Sequence, residues 1–103
     1  MNISSLAGKN AFKGGAGYNA AKAGLNLFTE ALMLDHRQDN VRVCTIMPGS
    51  VDTEFSGGSE KRSGDTSWMI SPHDVAEAAT LALRMPARTM ISRIEMRPSR
   101  PQK

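Results

Sequence analysis

Apolar side chains between residues 18 and about 37 recur at intervals of three and four, which is the period of a helix. These positions form two adjacent stripes along the predicted helix. We therefore expect the helix to be buried over more than half of its girth, with one stripe on a sheet and the other on a neighbouring helix or a second subunit. One stripe comprises Ala20, Ala23, Leu27, Ala31 and Leu34, and the other comprises Ala21, Leu25, Phe28 and Leu32.

Three shorter segments predict strands. Residues 41–47 (VRVCTIM) are mostly apolar and β-branched, as expected of a central parallel strand, and Pro48-Gly49 ends them. Residues 89–96 alternate apolar with polar side chains, which predicts a last strand near a sheet edge. Residues 1–3 lead into a segment typical of the exit from a strand. Because strands alternate with helices, the predicted fold class is α/β with a parallel sheet.

The second half of the chain contains a polar stretch and then a second predicted helix. Residues 54–67 are rich in glycine, serine and charge, which is typical of a lid, a binding loop or a disordered segment. The sequence SPHD (71–74) places serine at an N-cap, proline at the first helical position and aspartate in the first turn. This helix is expected to run to about Arg84 and to stop before Pro86. Residues 97–103 are expected to form a loose tail.

The composition excludes several classes of protein. The 103 residues suffice for one domain or part of one, and no apolar run approaches the ~20 residues of a membrane span. The start lacks a signal peptide, so we expect a cytoplasmic protein that contacts no membrane. The net charge of +3 lies largely near the C-terminal end without interleaved aromatic side chains, so no nucleic-acid partner is predicted. The single cysteine, Cys44, forms no intrachain disulfide or cysteine metal site, and we expect a buried, inert thiol.

Polar side chains at the ends of the predicted strands are the candidates for chemistry. Ser4 and Ser5 follow the first strand, residues 48–53 follow the next, and Tyr18 and Lys22 lie one helical turn apart near the start of the intervening helix. Ligands of open α/β sheets bind outside the carboxyl ends of the strands. A cation ~4 Å from a phenol favours the phenolate by about 4 kcal/mol at an effective dielectric constant of 20. The set therefore suits acid/base chemistry on an alcohol or a carbonyl, with a serine hydroxyl opposite.

The segments ISSLAG, YNAAKAGL and VRVCTIMPGSVDT together resemble the short-chain dehydrogenase/reductase family. In that family a serine is followed, after twelve residues, by Tyr-x-x-x-Lys, and here Ser5 precedes Tyr18 and Lys22 with that spacing. A strand and a Pro-Gly turn with a downstream threonine come next in the family, and residues 48–53 (PGSVDT) match them. The resemblance implies the C-terminal part of a Rossmann-type doubly wound parallel sheet, with residues 1–103 as a C-terminal fragment of a single domain.

The resemblance also implies an activity and a role for each matched residue. The activity is hydride transfer between a nicotinamide cofactor and a carbonyl or secondary alcohol. Tyr18 would be the general acid/base, Lys22 would stabilise its phenolate and bind the ribose hydroxyls, and Ser5 would hydrogen-bond the substrate oxygen. The residues expected to bind the cofactor, besides Tyr18 and Lys22, are Pro48, Gly49, Val51 and Thr53.

The same resemblance implies partners. The cofactor would be NADP or NAD, with NADP favoured, and the substrate a small molecule covered by the loop 54–70, in which Trp68 either packs the loop or touches the substrate. The helix 18–37 would join copies into a homodimer or homotetramer. No metal site is predicted. His36, at a helix end, and His73, in a first turn, are expected to have no functional role, and Asp52 and Glu54 are expected to be solvated loop charges and not a catalytic carboxylate pair.

Two family features lack a counterpart here, namely the glycine-rich dinucleotide loop and the asparagine on the helix before the serine strand. GGAG (14–17) neither follows a strand directly nor fits G-x-G-x-x-G, so it is not the glycine-rich dinucleotide loop. We therefore expect the chain to be a C-terminal fragment. One alternative is a truncated, non-catalytic remnant that acts through dimerisation. Another is a serine hydrolase using Ser5 and Lys22, although no nucleophile-elbow motif is present.

Overall fold

The computed structural model describes residues 1–53 and 65–102. The predicted loop 54–70 therefore lies partly outside the described residues, and so does Glu54. The regular elements are β1 (Asn2–Ile3), α1 (Ala16–His36), β2 (Thr45–Pro48), α2 (Pro72–Arg84) and β3 (Arg93–Met96).

The three strands form one parallel sheet in the order β1-β2-β3. Asn2 of β1 lies opposite Thr45 of β2, and Ile46 of β2 lies opposite Ile94 of β3. The helix α1 connects the first two strands and α2 connects the last two. The predicted α/β class with a parallel sheet is confirmed, and β3 lies at an edge as expected.

Two strands are shorter than the sequence pattern predicts. The segment 41–47 is a strand only from Thr45, and it extends one residue further than expected, to Pro48. The segment 89–96 is a strand only from Arg93. The ladder between β2 and β3 begins where Thr45 lies opposite Arg93, so pairing rather than apolar content sets both boundaries.

The central strand β2 and the helix α2 form the core. Ile46 is fully buried, and it packs with Cys44 and with Ala82 of α2. Partly buried apolar side chains of α2 and β3 surround this cluster. The Cys44 thiol is buried as predicted, and its burial raises its pKa, which disfavours the reactive thiolate.

The helix α2 begins as its sequence predicts. The Ser71 hydroxyl accepts a hydrogen bond from the backbone N–H of His73 at 3.1 Å. The Asp74 carboxylate in turn accepts one from the backbone N–H of Ser71 at 3.0 Å. This capping box satisfies backbone donors that the first turn of a helix leaves unpaired.

The helix α1 is less buried than its two apolar stripes predict. Within the part of the chain that the structure describes, Thr29 is its one buried residue. Leu27 is 69% exposed, Phe28 60% and Leu34 59%. Within the described residues, α1 is therefore not buried over more than half of its girth, and the cover of its exposed side by a second subunit stays a prediction. No helix in residues 1–53 or 65–102 combines the length and hydropathy needed to cross a bilayer.

Candidate active site

Two serines follow β1, and they differ in what they contact. Ser4 is buried, its backbone N–H donates to Ile46 O at 2.7 Å, and its hydroxyl donates to Lys22 O at 3.5 Å. Ser5 instead caps a short 3-10 turn, and its hydroxyl oxygen accepts from the Ala7 N–H at 3.0 Å. Because a hydroxyl that accepts one bond retains its own hydrogen, Ser5 can still donate to a ligand oxygen.

Tyr18 and Lys22 lie together near the start of α1. The Lys22 ammonium is 5.5 Å from the centroid of the Tyr18 ring, within the range of a cation–π interaction. Tyr18 is 41% exposed, so its ring remains open to solvent on one side. The ring of Phe12 packs on it with the two centroids 6.3 Å apart and the planes inclined at 53°. The structure thus brings together two of the three predicted catalytic side chains by direct contact.

The Ser5 turn packs closely against the helix that carries Tyr18 and Lys22. Gly8 ends this 3-10 turn, and a Cβ added there would lie 2.9 Å from Lys22 O and would overlap the Asn26 carboxamide. The turn therefore approaches the backbone of α1 with no room for a side chain. Together with the Ser4 bond to Lys22 O, this contact fixes the chain around Ser5 against the second turn of α1.

The chain that leaves β2 approaches the same turn. Pro48 is the last residue of β2 and is buried, and the N–H of Gly49 donates to Met96 O at 2.8 Å. A Cβ on Gly49 would lie 3.4 Å from both Met96 O and the Leu6 side chain, and Leu6 directly follows Ser5. The predicted Pro-Gly turn thus lies next to the serine turn.

Val51 and Thr53 lie immediately before the predicted substrate loop. Val51 forms an isolated parallel bridge with Ile70, and the Asp52 N–H donates to Ile70 O at 2.9 Å. The Thr66 hydroxyl donates to the Asp52 carboxylate at 3.0 Å. The two described ends of the loop are therefore joined at its base.

The remaining expectations for this loop are tested only in part. The indole N–H of Trp68 donates to Asp65 O at 3.1 Å, which holds Trp68 against its own loop. Asp52 is exposed as expected, and the prediction for Glu54 lies outside the described residues.

Among residues 1–53 and 65–102, no three histidine, cysteine, aspartate or glutamate side chains lie close enough to hold a metal ion.

One cavity of about 340 Å³ lies elsewhere, between α1 and the sheet. Ala23 and Met33 of α1 line it on one side, and Thr45 and Arg93 line it on the other. Ser5, Tyr18 and Lys22 do not line it, so it is separate from the predicted catalytic residues.

Sequence reasoning did not single out Asn19, which makes three hydrogen bonds to the loop between Ser5 and Tyr18. Its amide nitrogen donates to Ala7 O at 2.6 Å and to Asn10 O at 2.9 Å. Its amide oxygen accepts from the Phe12 N–H at 3.4 Å. An asparagine one residue after the tyrosine was the available signal, but a polar residue in a helix usually indicates a solvent-facing position.

Comparison with known proteins agrees with this arrangement. Residues 1–64 match the model of the short chain dehydrogenase family. This match covers more than half of the chain. The chain therefore belongs to the short-chain dehydrogenase family, and the resemblance inferred from Ser5, Tyr18 and Lys22 is confirmed at the level of the family.

Individual relatives are longer proteins. An uncharacterized oxidoreductase of Staphylococcus saprophyticus is 35% identical over 102 residues, which are 95% of this chain and 41% of that protein. An NADP-dependent 3-hydroxy acid dehydrogenase of Salmonella typhi is 36% identical over 106 residues, with coverage of 95% and 43%. The closed form of a serine dehydrogenase complexed with NADP+ superimposes with a TM-score of 0.81 at 35% identity, covering 92% of this chain and 42% of that one. The chain thus spans about two fifths of the length of these relatives.

Proposed function

We propose that the protein carrying this chain is a nicotinamide-dependent oxidoreductase that interconverts a carbonyl compound and a secondary alcohol. The contact between the Lys22 ammonium and the Tyr18 ring, 5.5 Å from its centroid, is the observation that carries the proposal. It lies beside the Ser5 turn in a chain whose relatives are named as oxidoreductases and dehydrogenases.

The residues present fit the nicotinamide half of such a cofactor. Within the described part of the chain, Lys22 contacts Tyr18 through its ammonium and forms no ion pair, so its N–H donors are available to ribose hydroxyls. Pro48, Gly49, Val51 and Thr53 are proposed to line the nicotinamide pocket. NADP is favoured over NAD because two of the relatives named above are described with NADP.

The proposed mechanism assigns one proton-handling step to this chain. When bound, the nicotinamide supplies the hydride in reduction or accepts it in oxidation. In reduction Tyr18 would donate its phenolic proton to the carbonyl oxygen, and in the reverse direction its phenolate would take the proton of the alcohol. Lys22 stabilises the resulting phenolate, and the Ser5 hydroxyl donates a hydrogen bond to the reacting oxygen.

The first substrates to test are small 3-hydroxy acids. One relative is named for NADP-dependent oxidation of 3-hydroxy acids, and another is named a serine dehydrogenase. Both 3-hydroxy acids and serine carry a hydroxyl on the carbon β to the carboxylate, and in serine this hydroxyl is a primary alcohol. The proposed assembly is a homodimer or homotetramer through α1, supported by the exposed Leu27, Phe28 and Leu34, and light scattering would measure its mass.

The experiment that tests the proposal uses the complete translated reading frame that encodes this chain. Binding of NADP and NAD is measured by calorimetry, and oxidation of a panel of hydroxy acids is followed by nicotinamide absorbance. Tyr18→Phe should lower kcat by about 10²- to 10⁴-fold and leave the cofactor Kd within about twofold, because the substitution keeps the aromatic ring and removes the hydroxyl that carries the proton.

Three results would decide among the alternatives. Turnover that is unchanged in Tyr18→Phe would overturn the acid/base assignment. A folded protein that binds neither cofactor would favour the non-catalytic remnant that acts through dimerisation. Covalent labelling of Ser5 by a reagent that acylates nucleophilic serines would favour the alternative of a serine hydrolase.

A further inference from the structure

The loop between Ser5 and Tyr18 is held by one side chain that belongs to the helix. After the 3-10 turn ends at Gly8, this loop forms turns without a strand or α-helix until α1 begins at Ala16. Asn19 contacts the loop at three backbone groups, spaced from Ala7 to Phe12. Both side chains proposed for proton transfer and substrate binding flank this loop, so its conformation contributes to how they face each other, beside the direct contacts of the Ser5 turn with α1.

The chemistry of a carboxamide matches these three backbone groups. A side-chain amide offers two N–H donors and an oxygen acceptor. Asn19 uses both donors, on Ala7 O at 2.6 Å and Asn10 O at 2.9 Å, and its oxygen faces the Phe12 N–H at 3.4 Å. A carboxylate at this position would place negative charge against two carbonyl oxygens, and alanine would leave all three groups without this partner.

Asn19 is linked to Ser5 through one residue. The N–H of Ala7 donates to the Ser5 hydroxyl oxygen at 3.0 Å, and the carbonyl of the same Ala7 accepts from Asn19 at 2.6 Å. The position of Ala7 therefore depends on the helix, and the orientation of the Ser5 hydroxyl depends on Ala7.

Asn19 is linked to Tyr18 through Phe12 as well as through the backbone. Its oxygen accepts from the Phe12 N–H, and the Phe12 ring packs on the Tyr18 ring at 6.3 Å. Gly15 is buried beside them, and a Cβ there would overlap the Phe12 ring and lie 2.8 Å from the Asn19 amide oxygen. The absence of a side chain at Gly15 thus leaves space for both the ring and the carboxamide.

We propose that Asn19 is a positioning residue of the acid/base site, which fixes the Ser5 hydroxyl and the Tyr18 ring relative to each other through the loop between them. The inference rests on the proposed function, because it concerns the reaction that Tyr18 and Ser5 carry out. Asn19 acts through Ala7 and Phe12 and takes no proton itself. A displacement of catalytic groups by ~1 Å can cost a factor of about 10² in rate.

The test compares Asn19→Ala and Asn19→Asp with Asn10→Ala, in the complete reading frame and well below the melting temperature of each variant. Asn10 is an asparagine of the same loop that contributes its backbone carbonyl to the contact, which the alanine variant retains. We expect both Asn19 variants to lower kcat by about 10- to 100-fold with the NADP Kd within about twofold, and Asn10→Ala to match the unsubstituted protein.

A double-mutant cycle separates positioning from a general effect on folding. If Asn19 acts through the acid/base site, Asn19→Ala should cause a several-fold smaller loss of kcat in a Tyr18→Phe background than in the unsubstituted protein, because only the positioning of Ser5 then remains to be lost. An equal loss in both backgrounds would overturn the proposal, and so would an unchanged kcat in Asn19→Ala. If Asn19→Ala does not fold, the near-isosteric Asn19→Asp is carried through the same cycle.

Failure of the proposed function would be recognised separately. In that case the unsubstituted protein neither binds NADP nor oxidises any alcohol of the panel. The NMR signal of the Tyr18 ring, assigned by its loss in Tyr18→Phe, then decides the positioning claim. A shifted or broadened ring signal in Asn19→Ala, with no change in Asn10→Ala, supports it, and an unchanged signal in both overturns it.

Discussion

The two helices of this chain are held in different ways. The helix α2 begins with a capping box between Ser71 and Asp74, and its apolar side packs on the core around Ile46. The helix α1 is longer, begins at Ala16 after the N-cap residue Gly15, which provides no side-chain cap, and leaves large apolar side chains exposed. The shorter helix is thus better supported by its own sequence.

The helix α1 is held by side-chain contacts with β1, with the residue after it and with the loop that precedes the helix. Ser4 donates to Lys22 O, Asn2 donates to the Thr29 hydroxyl at 2.7 Å, and Asn19 holds the preceding loop. A cap residue in place of Gly15 would put a Cβ where the Phe12 ring lies. The N-terminal end of α1, which carries Tyr18, therefore lacks a side-chain cap, and the missing side chain leaves space for the Phe12 ring beside the proposed catalytic groups.

The largest stability effect should come from breaking the core under α2. Ile46→Ala removes a fully buried side chain next to Ala82, and we expect the free energy of unfolding to fall by about 2–4 kcal/mol. Leu83→Ala on the same helix is the control, because Leu83 is 66% exposed and its loss should cost less than about 0.5 kcal/mol. Urea unfolding measures both, and equal effects of the two changes would contradict this account of the core.

The contrast between the helices also explains which features could be predicted from the sequence. The start of α2 was predictable because its cap lies within four consecutive residues, and the pattern of α1 indicated its extent to within about two residues. The starts of β2 and β3 could not be predicted, because each depends on which residue of another strand lies opposite.

The candidate site divides in the same way. The spacing of Ser5, Tyr18 and Lys22 indicated the family, since all three lie in recognisable local motifs. Asn19 was missed because its partners lie in an irregular loop, whose backbone has no periodic pattern to predict. The stripes of α1 predicted a cover from a neighbouring helix or a second subunit, but an apolar stripe does not say whether that cover belongs to the same chain.

Removing the cap of α2 and introducing one at α1 should affect stability differently. Ser71→Ala should lower the free energy of unfolding by about 1 kcal/mol, because the His73 N–H loses its side-chain acceptor. Gly15→Ser introduces a favoured N-cap residue at α1, yet we expect no gain in stability because its Cβ would overlap the Phe12 ring. Unfolding midpoints in urea measure both changes, and a gain of a few tenths of a kcal/mol in Gly15→Ser would show that the ring moves aside without cost.

The smallest effect should appear where the loop before α1 meets the strand after α2. The Glu95 carboxylate of β3 accepts hydrogen bonds from Lys9 at 2.8 Å and from Arg97 at 3.1 Å, and these bonds, with that from Lys9 the larger cause, lower the pKa of Glu95. A carboxylate whose pKa is lowered by folding stabilises the folded state above its unfolded pKa of about 4.3, and this contribution is lost as the pH falls through the folded pKa. Glu95→Gln should therefore be slightly less stable than the unsubstituted protein at pH 7, and the difference should shrink toward zero as the pH falls below about 4. Because these side chains are partly exposed, 1 M salt should also reduce the difference. Melting temperatures across pH and salt measure it, and a difference that persists unchanged at acid pH would assign the effect of Glu95 to packing and not to charge.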